Sequence, residues 1–125
     1  MSRPTRRRWW DKFAEAANGV RLAVLRESSF RVHIAAAISV IGAAALLRCD
    51  RIEWCLLVGC IGAVLAAEVF NASVETLFHA LDEPTKARMT ACLDRAAGAV
   101  LLVSATAVVV GALIFGPKLV ANVGW

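Results

Sequence analysis

Trp54-Cys-Leu-Leu-Val-Gly-Cys-Ile-Gly-Ala-Val-Leu-Ala-Ala-Glu68-Val-Phe-Asn71-Ala-Ser-Val-Glu75-Thr-Leu-Phe-His79-Ala80 is long and apolar, and it carries two acids and an amide at intervals of three and four residues. On a helix, Glu68, Asn71 and Glu75 share one stripe about 60° wide. Extended downstream, the stripe collects His79 and Asp82. An acid at membrane depth costs roughly 2.5–3.5 kcal/mol on insertion scales, so two on one face mark a place where function should be sought.

The rest of the chain explains why the stretch belongs in a membrane. Of 125 residues, 59% are hydrophobic. Mean hydropathy is +0.65. Soluble domains average roughly 45–50% apolar residues. The length fits a single domain over residues 1–125. The net charge of +4 is unevenly distributed. Arg3, Arg6, Arg7, Arg8, Lys12, Arg21, Arg26 and Arg31 face only Asp11, Glu15 and Glu27 in the same segment. Three apolar spans argue against a nucleic-acid binder, and basic charge beside a span follows the positive-inside rule. Cys49, Cys55, Cys60 and Cys92 form no Cys-x-x-Cys pair and read as small apolar fillers. The N-terminus has no apolar core with a small-residue cleavage site, so no cleavable signal peptide is expected.

The expected architecture is all-α and integral to the membrane: an N-terminal amphipathic surface helix followed by three transmembrane helices. Residues 1–8 form a basic tail. Residues 9–27 form an interfacial helix, with Trp9, Trp10, Phe13, Ala17, Val20, Val24 and Leu25 at near-helical spacing and the paired tryptophans suited to a headgroup boundary. Transmembrane helices are expected over 32–47, 54–80 and 94–116. The polar run Leu77 to Thr90 connects the second and third, and Gly116-Pro117-Lys118 stops the third. Basic residues place the N-terminus and the second connection on the cytoplasmic side. A second span entering at Trp54 from outside puts Glu68 about 21 Å along and Glu75 about 31 Å along, the first within the inner leaflet and the second at its surface. Small residues at Ala35–Ala37, Gly42–Ala45 and Ala96–Ala99 allow close helix approach. Three helices shield such a stripe poorly, so a homo-oligomer is expected.

Carboxylates at a cytoplasmic interface suit Mg²⁺, which is commonly held by one or two carboxylates together with substrate phosphates. Glu27, at the end of the N-terminal helix, joins Glu75 as a candidate ligand. Glu68 lies deeper and suits a general base acting on a lipid hydroxyl. The same pattern also suits structural polar contacts between spans. Gly111 to Lys118 mimics a phosphate-binding loop in its glycine spacing, but Pro117 precedes the lysine and Leu119 stands where Ser or Thr is needed. His33 and His79 are too isolated for a zinc site. His33 is expected to bond a neighbouring helix or a headgroup, and His79 to modulate Glu75 or simply face solvent. Asp94 is expected to open the third span as a first-turn charge.

Three motifs together resemble one family. Phe13-x-x-Ala16-x-x-Gly19-x-x-x-Ala23-x-x-x-Glu27-x-x-Phe30-Arg31-x-His33, Ala67-Glu68-Val-Phe-Asn71-Ala-Ser-Val-Glu75 and Asp94-Arg-Ala-Ala-Gly-Ala-Val-Leu-Leu102 are similar to the signatures of the small prokaryotic diacylglycerol kinase and undecaprenol kinase family. The resemblance covers nearly the whole chain. It implies a homotrimer in the bacterial inner membrane that phosphorylates a lipid alcohol with Mg²⁺ and ATP, with sites formed between subunits. By position it implies Glu68 as general base, Glu27 and Glu75 as metal ligands, and Asn71 and Asp94 as nucleotide-binding residues. Phe30-Arg-Val-His33, Ile52-Glu-Trp54 and Pro117-Lys-Leu119 look closer to the undecaprenol kinase branch, with diacylglycerol the second substrate. Two positions depart from the pattern. Leu93 stands where the family usually has a lysine, and His79 where it usually has an acid. Those departures prompt a second expectation, a catalytically weak or inactive membrane scaffold. A proton or cation path along the stripe is a third, opposed by the uncharged outer half of the second span.

Overall fold

The computed structural model describes residues 8–124, which form four helices: α1 (Trp9–Arg26), α2 (Ser28–Leu46), α3 (Arg51–His79) and α4 (Glu83–Asn122). Most of the basic tail expected over residues 1–8 lies outside the described residues. Arg8 is within them and caps α1, its backbone N–H donating to Asp11 Oδ2 at 3.1 Å. The last three helices are each long and apolar enough to cross a membrane. The expected all-α class, one amphipathic helix and three spans, therefore holds.

Each junction follows from local chemistry. Between α1 and α2 only Glu27 leaves helical geometry, at φ −105° and ψ 109°. The break leaves carbonyls at the end of α1 without intrahelical partners. Arg31 reaches back to them, donating from Nη1 to Val24 O at 3.0 Å and Leu25 O at 3.1 Å. After α2 the chain turns through Arg48, whose φ of 55° lies in the left-handed region. Asp50 then starts α3 through a capping box: Glu53 N–H donates to its carboxylate at 2.8 Å, and Asp50 N–H donates to Glu53 Oε1 at 3.0 Å.

Two boundaries differ from the expectation. The polar run before the third span is mostly helix. Only Ala80–Asp82 breaks the chain, and α4 begins at Glu83 rather than 94. Asp82 accepts from Thr85 N–H at 2.9 Å and Pro84 occupies the first turn, a strong helix start that polar composition concealed. Nor does Pro117 end the helix, which continues to Asn122. Proline removes one backbone donor, and transmembrane helices tolerate that loss when neighbours support the chain. Here Lys118 is held against Glu53 of α3 at 3.0 Å. Forty residues make α4 about 60 Å long, twice a ~30 Å hydrocarbon core, so its charged first turns extend beyond the membrane.

α3 packs mainly along α4 and secondarily on α2, while α1 meets α2 and α3 near its end. Ala44, Leu57 and Ile114 form a buried cluster, with Val40, Trp54, Val110 and Phe115 around it. Glu53 faces Lys118, and one helical turn further on Leu57 shares this cluster with Ile114, so α3 and α4 run antiparallel in a fixed register. Few other side chains are buried. Trp9, Trp10 and Phe13 are 65–80% exposed, leaving the apolar side of α1 uncovered by its own chain, as a helix lying at a lipid boundary requires.

The start of α4 titrates. Hydrogen bonds from Thr85, first its side chain and then its backbone, hold the Asp82 carboxyl below its ordinary range. A lowered folded-state pKa gives stability that is complete above the unfolded value, about 3.9, and is lost as pH falls through the folded one. Asp82→Ala is therefore expected to unfold at a lower temperature than wild type at neutral pH, with the gap narrowing on acidification. A gap independent of pH would contradict the capping account.

Candidate active site

α3 carries the stripe, and the structure divides it. Glu68 is 6% exposed and is the only buried charged side chain among the described residues. A carboxylate in an apolar seam needs donors, and α2 supplies two. His33 Nε2 lies 2.9 Å from Oε1, and Ser29 Oγ donates to Oε2 at 3.3 Å. These residues are four apart and so share one face of α2, which is turned towards α3. Each carboxylate oxygen keeps lone-pair capacity for a further donor. The neighbouring-helix partner expected for His33 is thus Glu68. Ser29 was not singled out from the sequence. Its signal is its spacing, one turn before His33 and two residues after Glu27.

Towards the end of α3, Asn71 Nδ2 donates to Glu75 Oε1 at 3.3 Å. Asn71 Oδ1 is buried and lacks a hydrogen-bond partner. A buried amide oxygen beside a half-buried carboxylate is a pair of hard oxygen donors, which matches what Mg²⁺ takes. The donor chemistry therefore fits that ion. Among the described residues, no group of three or more His, Cys, Asp or Glu side chains is close enough to hold a metal. Glu27 sits half-buried at the α1–α2 junction.

The other candidates are placed apart. Asp94 is exposed and well inside α4, not in its first turn. Following the α3–α4 register puts it within a turn of the Glu75 level along the helix axis. Asp82 belongs to the α4 cap, so the stripe ends before it. His79 is exposed and stacks edge-on against Phe78, with ring centroids 5.8 Å apart. Leu93 is half-buried, Arg88 and Arg95 are exposed, and Lys86 lies 3.5 Å from Glu83.

Outward from His33 runs a cavity of about 360 Å³ between α2, α3 and α4. His33 and Val40, Leu57 and Val64, and Ser104 and Phe115 are among its walls. Apart from His33, Cys60 and Ser104 its lining is apolar. All four cysteines are free thiols, with Cys49 and Cys60 half-buried and Cys55 and Cys92 exposed.

Comparison with known proteins matches this chain to one family. The family model described as prokaryotic diacylglycerol kinase matches residues 14–115. The chain is 30% identical over 112 residues to the undecaprenol kinase of Bacillus subtilis (strain 168), covering 90% of this chain and 91% of that one. It is also 30% identical to the diacylglycerol kinase of Synechocystis sp. (strain ATCC 27184 / PCC 6803 / Kazusa), covering 95% of this chain and 73% of that one. No solved structure gives a significant match.

The His33–Glu68 contact generates a stability test. His33→Ala strips a donor from a buried carboxylate, and hydrogen bonds to charged groups contribute about 1.5–3 kcal/mol. A loss of that order in detergent-solubilised protein is expected on unfolding, with His33→Gln recovering much of it. Equal losses in both variants would mean that ring packing, not the hydrogen bond, is what matters.

Proposed function

The chain belongs to the prokaryotic diacylglycerol kinase family, and from that premise we propose that it transfers the γ-phosphate of ATP to the hydroxyl of a membrane lipid alcohol, with Mg²⁺, at the cytoplasmic face of the inner membrane. Its membrane-spanning helices and its relatives make it a lipid kinase. The observation that carries the finer reading is Glu68: a buried carboxylate with a donor fixed on each oxygen, beside the wall of an apolar cavity at membrane depth.

In this reading the lipid tail lies in the cavity and its hydroxyl reaches Glu68. The carboxylate takes the hydroxyl proton. The lipid oxygen bonds the γ-phosphorus while the bond from that phosphorus to the bridging oxygen breaks. The electron pair leaves with ADP, and the proton passes from Glu68 to solvent. Phosphoryl transfer asks mainly for positioning and charge neutralisation. His33 and Ser29 do the positioning, because they fix the plane and depth of the carboxylate. Magnesium, when bound, neutralises phosphate charge, and Glu75 with Glu27 would hold it. Asn71 and Asp94 would contact the nucleotide. Glu27, Glu75 and Asp94 stand on three separate elements, so a homotrimer in which neighbouring subunits complete the nucleotide side is part of the proposal. So is a cytoplasmic N-terminus, supported by the basic residues of the first thirty-one positions.

The substrate proposed first is undecaprenol, on the motif resemblance and the high mutual coverage with the Bacillus relative. Diacylglycerol is the second. The test is transfer of label from the ATP γ-position to each lipid, run side by side with purified protein. Wild type is expected to label at least one lipid. Glu68→Ala is expected to lower the rate about 10²–10⁴-fold, the span of general-base contributions, with helix content and oligomer size unchanged. Leu93→Lys, which adds a cation where Leu93 is half-buried, is expected to raise kcat/KM for ATP. Undiminished transfer by Glu68→Ala would remove that residue from its role. No transfer and no Mg-ATP binding by wild type would favour the scaffold, and ion flux without ATP the transport path.

A further inference from the structure

Hydroxyl side chains in apolar helices usually bond back to their own helix, which hides them from hydrocarbon. Ser39, Ser73, Thr76 and Thr106 do this here, each donating to the carbonyl four residues earlier at 2.9 Å. Ser104 does not. Its Oγ is buried and has no hydrogen-bond partner, and the residue lines the cavity between α2, α3 and α4. An unpaired hydroxyl in a chamber whose other polar lining residues are His33 and Cys60 carries a desolvation cost with no return inside this chain.

Its depth is informative. Glu53 opposes Lys118, and Leu57 shares a cluster with Ile114 one turn further on. Each residue forward on α3 is matched by one back on α4. Carried on to Glu68, that register reaches Val103, the neighbour of Ser104. His33, which lies 2.9 Å from Glu68, lines the same cavity. The free hydroxyl therefore sits at the level where the chain of a lipid alcohol would give way to its head.

We propose that Ser104 is a substrate-binding residue whose hydroxyl donates a hydrogen bond to an oxygen of the lipid alcohol head. The inference rests on the lipid kinase reading and adds a contact to it. Two oxygens share this chemistry. One is the reacting hydroxyl, present in any lipid alcohol, which would accept from Ser104 while giving its proton to Glu68. The other is an ester carbonyl, present in a diacylglycerol and absent from a polyprenol. Thr106, two residues further along α4, is exposed and already bonded to Leu102 O, so it serves as the control position.

The experiment is a set of steady-state assays on full-length protein with undecaprenol and with diacylglycerol, for wild type, Ser104→Ala, Ser104→Thr and Thr106→Ala. A single neutral hydrogen bond corresponds to about a 3- to 10-fold change. Ser104→Ala is expected to raise the lipid KM by that factor with little change in kcat, Ser104→Thr to restore it, and Thr106→Ala to leave it unchanged. A rise for both lipids assigns the contact to the reacting hydroxyl, and a rise for diacylglycerol alone assigns it to the ester. An unchanged KM for both overturns the proposal. A change in oligomer size with Ser104→Ala also overturns it, because a second copy of the chain then covers the cavity. A parallel ATP-free measurement separates this inference from the kinase reading. Dioctanoylglycerol and a short polyprenol are titrated into detergent-solubilised protein and the Tm is followed. Stabilisation that needs several-fold more lipid in Ser104→Ala supports the contact even if no phosphate is transferred, and identical titrations overturn it.

Discussion

A carboxylate placed inside an apolar seam has to be given hydrogen-bond donors, and the packing of α2 against α3 is organised around that requirement. Glu68 receives His33 on one oxygen and Ser29 on the other. The two donors fall on one face of α2 because they are one helical turn apart. Their height is set by the break at Glu27, which Arg31 stabilises by binding the exposed carbonyls of α1. The same junction places Glu27 near the start of that donor pair. Removing the acid would leave α2 two polar groups facing hydrocarbon. Removing the donors would leave a bare charge, which is the more costly outcome.

The opposite end of the bundle is fixed by different means. Leu57, Ala44 and Ile114 pack closely there, and the Glu53–Lys118 pair locks α3 to α4 beyond them. Without a hydrophobic driving force between helices in lipid, close packing and polar contacts have to supply specificity. A clamp at one end and a buried acid at the other leave the middle free to be hollow, and that is where the cavity lies. The arrangement gives one chain two environments along α3: a largely apolar cavity beside Val64 and Leu65 and, past Glu68, a polar pair at Asn71 and Glu75.

Much of this was legible from residue pattern. Helix class and the number of spans follow from apolar run lengths and the 3.6-residue repeat. The boundaries of α4 did not follow, because charged residues between Leu77 and Thr90 look the same in a loop as in a solvated helix, and only the Asp82–Thr85 cap distinguishes them. Pro117 read as a stop because its cost is local and visible, whereas the support from Glu53 comes from a residue far away in sequence. His33 was recognisable as a polar residue needing a partner, but which partner depended on how α2 is rotated. Ser29 and Ser104 were silent for a related reason: a serine in a helix is usually satisfied by its own backbone, and only the fold shows which one is not.

The central claim is that Glu68 acts as the base and that α2 holds it in place for that role. A double-mutant cycle on phosphate transfer tests it most directly, using His33→Gln, Glu68→Gln and the pair. If His33 acts through Glu68, the pair loses no more rate than Glu68→Gln alone, because the histidine has nothing left to position. Losses that multiply would show the two residues acting independently and would contradict the account.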